Sequence, residues 1–348
     1  MINVGLVGYG LGGKVFHAPF INLTEQLRLH GVCSRTVEKR QDAANDYEGI
    51  ATYEHFEELL GDPDVDLVVL ATPHETHAPM AIQAMEAGKH LVTDKVMCLN
   101  ESEALAMMEA SERNKVLLSV FQNRRWDGDF LTLKDILGSG ILGDVYTVES
   151  NITAFGGPHS GWRAWKMHGG GRTRDWGAHL VDQALQLFGP TVEWVFADYQ
   201  FRYPESASDV ESTSHCLLKF KNGVRCFIEL GSAWIFPKPR YHVRGSDGGF
   251  RKYGLDPQEA TIKLGAVGVP VPEDPARYQM KTKGREGEVQ EVTVTPRHGA
   301  YRTYYDNIGS VLDLGEELLV KPEESLEVIK TIDAIVTSAE CAEVVRMK

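Results

Sequence analysis

Cysteine is scarce in this chain of 348 residues, with only Cys33, Cys98, Cys216, Cys226 and Cys341, no CxxC pair and no zinc-type spacing. So odd and scattered a set excludes a disulfide framework and reads as the reduced thiols of a cytoplasmic protein. Basic charge is also short: 36 Lys and Arg face 49 Asp and Glu, a net charge of −13. That balance argues against nucleic acid or an anionic membrane as partner. Long hydrophobic runs are missing too, since the stretch VDLVVLA around Leu67 is far too short to span a bilayer. The N-terminus lacks a basic segment and glycines interrupt its apolar residues, so no signal peptide is expected. Neither repeats nor low-complexity tracts occur. What is present, 43% hydrophobic and 24% charged residues, fits an ordinary soluble globular protein long enough for two domains.

The first 121 residues alternate strands and helices. A short run from Asn3 to Val7 leads into Gly8-Tyr9-Gly10-Leu11-Gly12-Gly13, and a helix-like stretch follows. The spacing of Gly8, Gly10 and Gly13 is G-x-G-x-x-G: a tight turn, a close approach of backbone to pyrophosphate, and close helix–strand packing. The helix start then offers free N–H groups to phosphate. Further strands are expected at Leu27–Cys33, Asp66–Ala71, His90–Thr93 and Val116–Phe121, separated by helices. Such alternation predicts a parallel, doubly wound sheet, a Rossmann domain over residues 1–121. Ligands bind at the carboxyl edge of such sheets. That edge carries Ala71-Thr72-Pro73, Asp94-Lys95 and Gln122-Asn123, with His77 opening a helix beside the nicotinamide. After the second strand, the acid that would bind the ribose of NAD is absent. Ser34 and Arg35 stand there instead, with Lys39 or Arg40 in support, and suit a 2′-phosphate. NADP(H) is therefore the expected cofactor, with NAD(H) as the alternative. His74 and His77 form HETH, which is not a metalloprotease HExxH, and no metal is expected.

Residues 122–348 read as an α+β domain with an open, largely antiparallel sheet. Strands are expected at Val145–Ile152, Val192–Phe201, Ser212–Phe220, Val224–Leu230 and Tyr241–Gly245, with Asn222-Gly223 turning a hairpin. The stretch from Gly265 to Thr295 reads as loops with one short edge strand. An open sheet face suggests a homo-oligomer, a dimer or tetramer. The focus of this domain is Gly169 to Phe188, GGGRTRDWGAHLVDQALQLF, a helix apolar nearly all round. Asp175, His179 and Asp182 share one stripe of it at i, i+4 and i+7 and must face partners, water or a ligand. A histidine with a carboxylate one turn away is suited to moving a proton near neutral pH. Lys95, at a strand's carboxyl end beside the cofactor edge, suits donation to a substrate oxygen. The upstream loop adds Trp162 and Trp165, able to stack on a sugar ring, and Asn123 is a further candidate for substrate contact.

Together these pieces resemble the glucose–fructose oxidoreductase and inositol dehydrogenase family of NAD(P)-dependent oxidoreductases, over essentially the whole chain. The matching residues are Gly8 to Gly13, Ala71-Thr72-Pro73 with His77, Asp94-Lys95, Gln122-Asn123-Arg124-Arg125 and Asp175-x-x-x-His179. The family's usual Glu-Lys-Pro is Asp94-Lys95-Val96 here. The resemblance implies reversible hydride transfer between nicotinamide and a secondary alcohol of a sugar or cyclic polyol. It casts His179 as general base, Lys95 as alkoxide stabiliser and proton relay, and Asp175 as the group that binds a neighbouring hydroxyl and orients the pair. Two rival readings accompany it: redox-neutral, NAD(H)-assisted cleavage of a glycoside or ether, and a non-catalytic NADPH-binding sensor.

Overall fold

Six short strands occupy the first third of the chain: β1 (Ile2–Val7), β2 (Leu27–Cys33), β3 (Ala51–Tyr53), β4 (Leu67–Leu70), β5 (His90–Thr93) and β6 (Leu118–Val120). In the computed structural model, which describes residues 1–347, they form one parallel sheet in the order β3-β2-β1-β4-β5-β6. That order is the doubly wound one anticipated from the alternation. All four residues of β4 are buried, as expected for a strand covered on both faces. Each such aliphatic side chain contributes about 1.5–3 kcal/mol by leaving water. Between the strands run α1 (Ala18–Leu23), α2 (Val37–Asp46), α3 (Phe56–Gly61), α4 (His77–Glu86) and α5 (Glu101–Asn114). Asn100 caps α5 by accepting from the Glu103 N–H at 3.0 Å. Ahead of α1, Gly12–His17 is a stretch of π-helix.

The chain divides into two compact units. The first comprises Met1–Asn123, Glu259–Val269 and Ala300–Leu326. Although Ala300–Leu326 follows the second sheet in sequence, its side chains explain the assignment. Within the helix Arg302–Leu314, the Tyr304 hydroxyl donates to Ser119 Oγ at 2.9 Å, and Tyr305 Oη lies 2.6 Å from His17 Nδ1.

The second unit holds α6 (Gly128–Gly138), α7 (Arg172–Asp175), α8 (Gly177–Phe188) and a nine-stranded sheet. Its strands are β7 (Val145–Thr153), β8 (Val192–Gln200), β9 (Thr213–Phe220), β10 (Arg225–Gly231), β11 (Tyr241–Gly245), β12 (Gly248–Lys252), β13 (Tyr278–Lys283), β14 (Val289–Val292) and β15 (Val345–Arg346). The order is β14-β13-β12-β11-β7-β10-β9-β8-β15, antiparallel except where β10 runs parallel to β7. The Asn222-Gly223 turn joins β9 to β10 as the sequence predicts, with Gly223 at φ +95°. Gly265 to Thr295 departs from expectation. It supplies two strands, β13 and β14, rather than loops with one, and β13 alternates buried and exposed residues along its length. Its glycines and charges fall on the turns and the outer face, which masked the period of two.

Candidate functional site

In the first unit the chain leaves β1 through a turn that only glycine permits. Gly8 has φ +95°, and a Cβ there would strike the Ala71 carbonyl oxygen at the end of β4. Its N–H donates to the Cys33 carbonyl at 2.9 Å, which ties the turn to the end of β2. A Cβ on Gly13 would collide with the Gly8 carbonyl, so the helix start packs directly on the turn. Gly10 has no atom within 4 Å of where a Cβ would stand, and Leu11 beside it is exposed. The turn therefore presents open backbone to a ligand.

Beside it lies a cleft of about 510 Å³, whose walls include Gly8, Ser34, Arg35, Thr72 and Pro73. Ala71 lines it as well. Of the three groups that the sequence placed on the carboxyl edge, Ala71-Thr72-Pro73 line this cleft, while Asp94-Lys95 and Gln122-Asn123 are not among its lining residues. Lys39 is not among the lining residues; on α2 it pairs with Asp42 at 3.5 Å. Arg40 instead supports the cleft floor, donating to the Ser34 carbonyl at 2.6 Å and pairing with Glu54 at 2.9 Å. Glu54 and His55, at the end of β3, also line the cleft and were missed. Their position at a strand's carboxyl edge was the available signal.

His77 opens α4 as predicted but is fully buried. Its ring nitrogens lie 2.8 Å from the Val96 carbonyl and 3.0 Å from the Thr72 carbonyl, so it clamps two strand ends together. Burial lowers its pKa, against Asp94 and the Val96 and Thr72 carbonyls, which favour the protonated ring. Asp94 accepts from the Lys95 N–H through Oδ1 at 2.7 Å. Burial works to raise its carboxyl pKa, but His17, Lys95 and His77 outweigh that and hold it at about 2. The Lys95–Val96 peptide is cis. Gln122 and Asn123 follow β6 and are buried. Gln122 Oε1 has no hydrogen-bond partner, an acceptor of the kind a ligand satisfies. Open backbone at Gly10, the adjoining cleft and this orphan acceptor all fit a dinucleotide.

In the second unit, the expected single helix is broken. Residues Arg172–Asp175 form one short helical turn, Trp176 is a turn residue that keeps right-handed helical angles, and α8 begins at Gly177. The three-residue stripe divides accordingly. Asp182 is buried and takes a bidentate pair from Arg125, Nη2 to Oδ1 at 2.6 Å and Nε to Oδ2 at 2.9 Å. Asp175 lies 3.7 Å from Arg163 Nε, and Arg163 is itself 42% exposed. His179, 5% exposed, stands one turn on, its ring edge-on to Trp176 with centroids 6.1 Å apart. Next to Asp182, Gln183 donates to the Arg124 carbonyl at 2.8 Å and accepts from Arg240 and Tyr241. Of these long-range anchors, Arg125 falls in the Gln122-to-Arg125 stretch that carries the resemblance, whereas Arg240 and Tyr241 carry no local signal in the sequence. Trp162 lies under the Arg163 guanidinium at 4.3 Å, so one ring face is covered. Trp165 is half-buried, and its carbonyl accepts from the N–H groups of His168 and Gly170. Arg172 and Arg174 flank the buried Glu211, which accepts from the Thr173 N–H at 2.7 Å. Burial lowers the Arg172 pKa and raises that of Glu211.

Comparison with known proteins adds to this geometry. Residues 2–122 match the model of an oxidoreductase family with an NAD-binding Rossmann fold, and residues 130–251 match the GFO/IDH/MocA C-terminal domain. The chain is 35% identical to the uncharacterized oxidoreductase YdgJ of Escherichia coli (strain K12), over 97% of this chain and 96% of that one. It is 32% identical to the scyllo-inositol 2-dehydrogenase (NADP(+)) IolW of Bacillus subtilis (strain 168), over 97% and 94%. Among solved structures, the oxidoreductase yvaA from Bacillus subtilis superposes with a TM-score of 0.93 at 29% identity, covering 100% of this chain and 98% of that one. Among the described residues, no helix is long and apolar enough to cross a membrane.

Proposed function

This chain belongs to the GFO/IDH/MocA family of NAD-binding oxidoreductases, and from that premise we propose that it is a cytoplasmic, NADP-preferring dehydrogenase of a sugar or cyclic polyol. The observation that carries the cofactor preference is the cleft beside the glycine turn. Ser34 and Arg35 line it where an NAD site would hold a ribose-binding acid, and Arg40 already neutralises Glu54. The IolW relative supports both halves of the reading, NADP and an inositol alcohol.

Gly8 to Gly13 would hold the pyrophosphate on backbone, Ser34 and Arg35 the 2′-phosphate, and Ala71 to Pro73, Asp94, Gln122 and Asn123 the remainder. A bound nicotinamide cofactor would supply the chemistry of hydride exchange with a substrate carbon. In this reading His179 takes the hydroxyl proton, and Lys95 stabilises the oxygen as negative charge develops on it. Asp175 holds a neighbouring hydroxyl. Trp162, Trp165 and Asn123 shape the substrate site. Phe196, Leu217 and Phe227 lie in register across β8, β9 and β10, and both phenylalanines are exposed. That row supports self-association through the open sheet face into a dimer or tetramer.

The test is nicotinamide absorbance with NADP or NAD and a panel of inositols and sugars, run on wild type, Lys95→Ala and His179→Ala. We expect NADP-dependent net turnover, reduced by about 10²–10⁴-fold in His179→Ala. No net turnover on any alcohol, with cofactor retained through purification, would instead indicate redox-neutral bond cleavage. NADPH binding without turnover of either kind would indicate a sensor.

A further inference from the structure

Behind the Lys95 backbone, the first unit buries two polar side chains, His17 and Tyr305, that the family reading leaves without a role. His17 is 0% exposed at the end of the π-helix that follows the glycine turn. Its Nδ1 lies 2.6 Å from Tyr305 Oη, and its Nε2 lies 3.6 Å from Asp94 Oδ2 with no hydrogen-bond partner of its own. Tyr305 is equally buried. Phe121, at the end of β6, closes the other side of the imidazole with ring centroids 4.5 Å apart. A buried ring nitrogen is costly to leave unsatisfied, and the ionised Asp94 beside it requires a proton on that nitrogen. The consistent arrangement has the Tyr305 hydroxyl donating to Nδ1, which leaves the N–H on Nε2, facing Asp94. Asp94 in turn accepts from the Lys95 N–H, and its Oδ2 stands 3.3 Å from where a Cβ on Gly12 would be.

We propose that His17 is a positioning residue for Lys95, holding one oxygen of Asp94 while the other fixes the Lys95 peptide. The argument is steric and electrostatic. Asp94 stands beside Gly12 of the glycine turn and accepts from the backbone of the lysine, so its rotamer couples the two. Without His17, the carboxylate is released to swing, and the lysine loses its fixed aim. A misplacement of about 1 Å at a reacting centre costs on the order of 10²-fold in rate. The groups that bear on Asp94 are His17 from the π-helix, Lys95 beside it and His77 from α4. His77 cannot substitute for His17, because both of its nitrogens are engaged by backbone carbonyls.

This inference rests on the assignment of Lys95 to catalysis, and the test separates the two. Two substitutions split the imidazole. In His17→Gln the amide reaches the position of Nε2 and retains a donor toward Asp94. In His17→Asn the amide reaches only the position of Nδ1 and retains the Tyr305 contact. We expect His17→Asn to lose about 10–100-fold in kcat, with NADPH affinity within about threefold of wild type, and His17→Gln to recover most of the loss. A packing role alone would favour Asn over Gln, or lower melting temperature and kcat together in both, and would overturn the proposal. Tyr305→Phe, which removes the donor to Nδ1 and keeps the ring, should lower kcat about 3–10-fold, and an unchanged kcat there would also overturn it. Lys95→Ala is measured alongside. An active Lys95→Ala enzyme refutes the catalytic assignment itself, whereas an inactive one beside a fully active His17→Asn refutes the positioning role alone.

Discussion

The first unit does its work through backbone, the second through buried charge. At the glycine turn, the decisive features are a positive φ at Gly8, contact between Gly13 and the Gly8 carbonyl, and open backbone at Gly10. None of these involves a charged side chain. In the second unit, Lys252 is 0% exposed, with its ammonium 3.2 Å from Asp129, 3.3 Å from Glu273 and 2.9 Å from the Gly254 carbonyl to which it donates. Nearby, Asp256 accepts from the Gly128 N–H at 2.5 Å and from the Gln258 N–H at 2.6 Å. The Arg125–Asp182 pair and the Gln183 anchors hold α8 by the same means. One unit is thus specified by residues adjacent in sequence, the other by charges that meet only after folding. Their responses to mutation and pH should differ accordingly.

The largest effect should come from Lys252→Ala. It removes the nearer cation from Asp129 and Glu273 and leaves the Arg240 guanidinium 3.9 Å from Asp129, a loss of about 3–5 kcal/mol in denaturant unfolding. An unchanged midpoint would mean that the buried cluster does not hold the second unit. The pH dependence sharpens the contrast. Burial, with Asp129 and Glu273 adding to it, raises Asp256 to about 6. The unfolded value is about 3.9, so the folded chain binds the extra proton between these limits. The stability this provides is complete below about pH 4 and is lost as pH rises through about 6, a fall of about 3 kcal/mol. Burial raises Glu273 in the same direction. Asp256→Asn should flatten the fall, as read from unfolding curves collected across that range. The smallest effect on stability belongs to the first unit. Gly8→Ala places a Cβ at positive φ against Ala71, costing about 1–2 kcal/mol. NADPH affinity, followed by fluorescence titration, should drop by about tenfold or more, while the pH profile of stability stays as in wild type. Normal NADPH binding by that variant would break the backbone account of the turn.

The same division explains what was readable in advance. Five of the six parallel strands (all but β3), the G-x-G-x-x-G turn and the Ser34-Arg35 position follow local rules of period, turn chemistry and strand edge. The hairpin at Asn222-Gly223 does too. Glu54 and His55 were overlooked because β3 is three residues long and carries almost no pattern. The break at Trp176 was invisible because the residues on both sides of it favour helix. The stripe of Asp175, His179 and Asp182 was recognised as one surface, yet its members have different fates, decided by Arg125 and Arg163 from other parts of the chain.

By itself, the sequence determined the class of fold and the glycine turn, because each rests on a spacing of a few residues and fixed backbone geometry, and it named Lys95, Asp175 and His179 as candidates through the family resemblance more than through spacing. Only the tertiary structure decided which ionisable groups are locked and which are held loosely. Asp182 is closed by Arg125, His77 by two carbonyls and Lys252 by two carboxylates, whereas His17 reaches Asp94 across 77 positions of chain. Electrostatic energy depends on separation in space and on burial, and neither is fixed until the chain has folded.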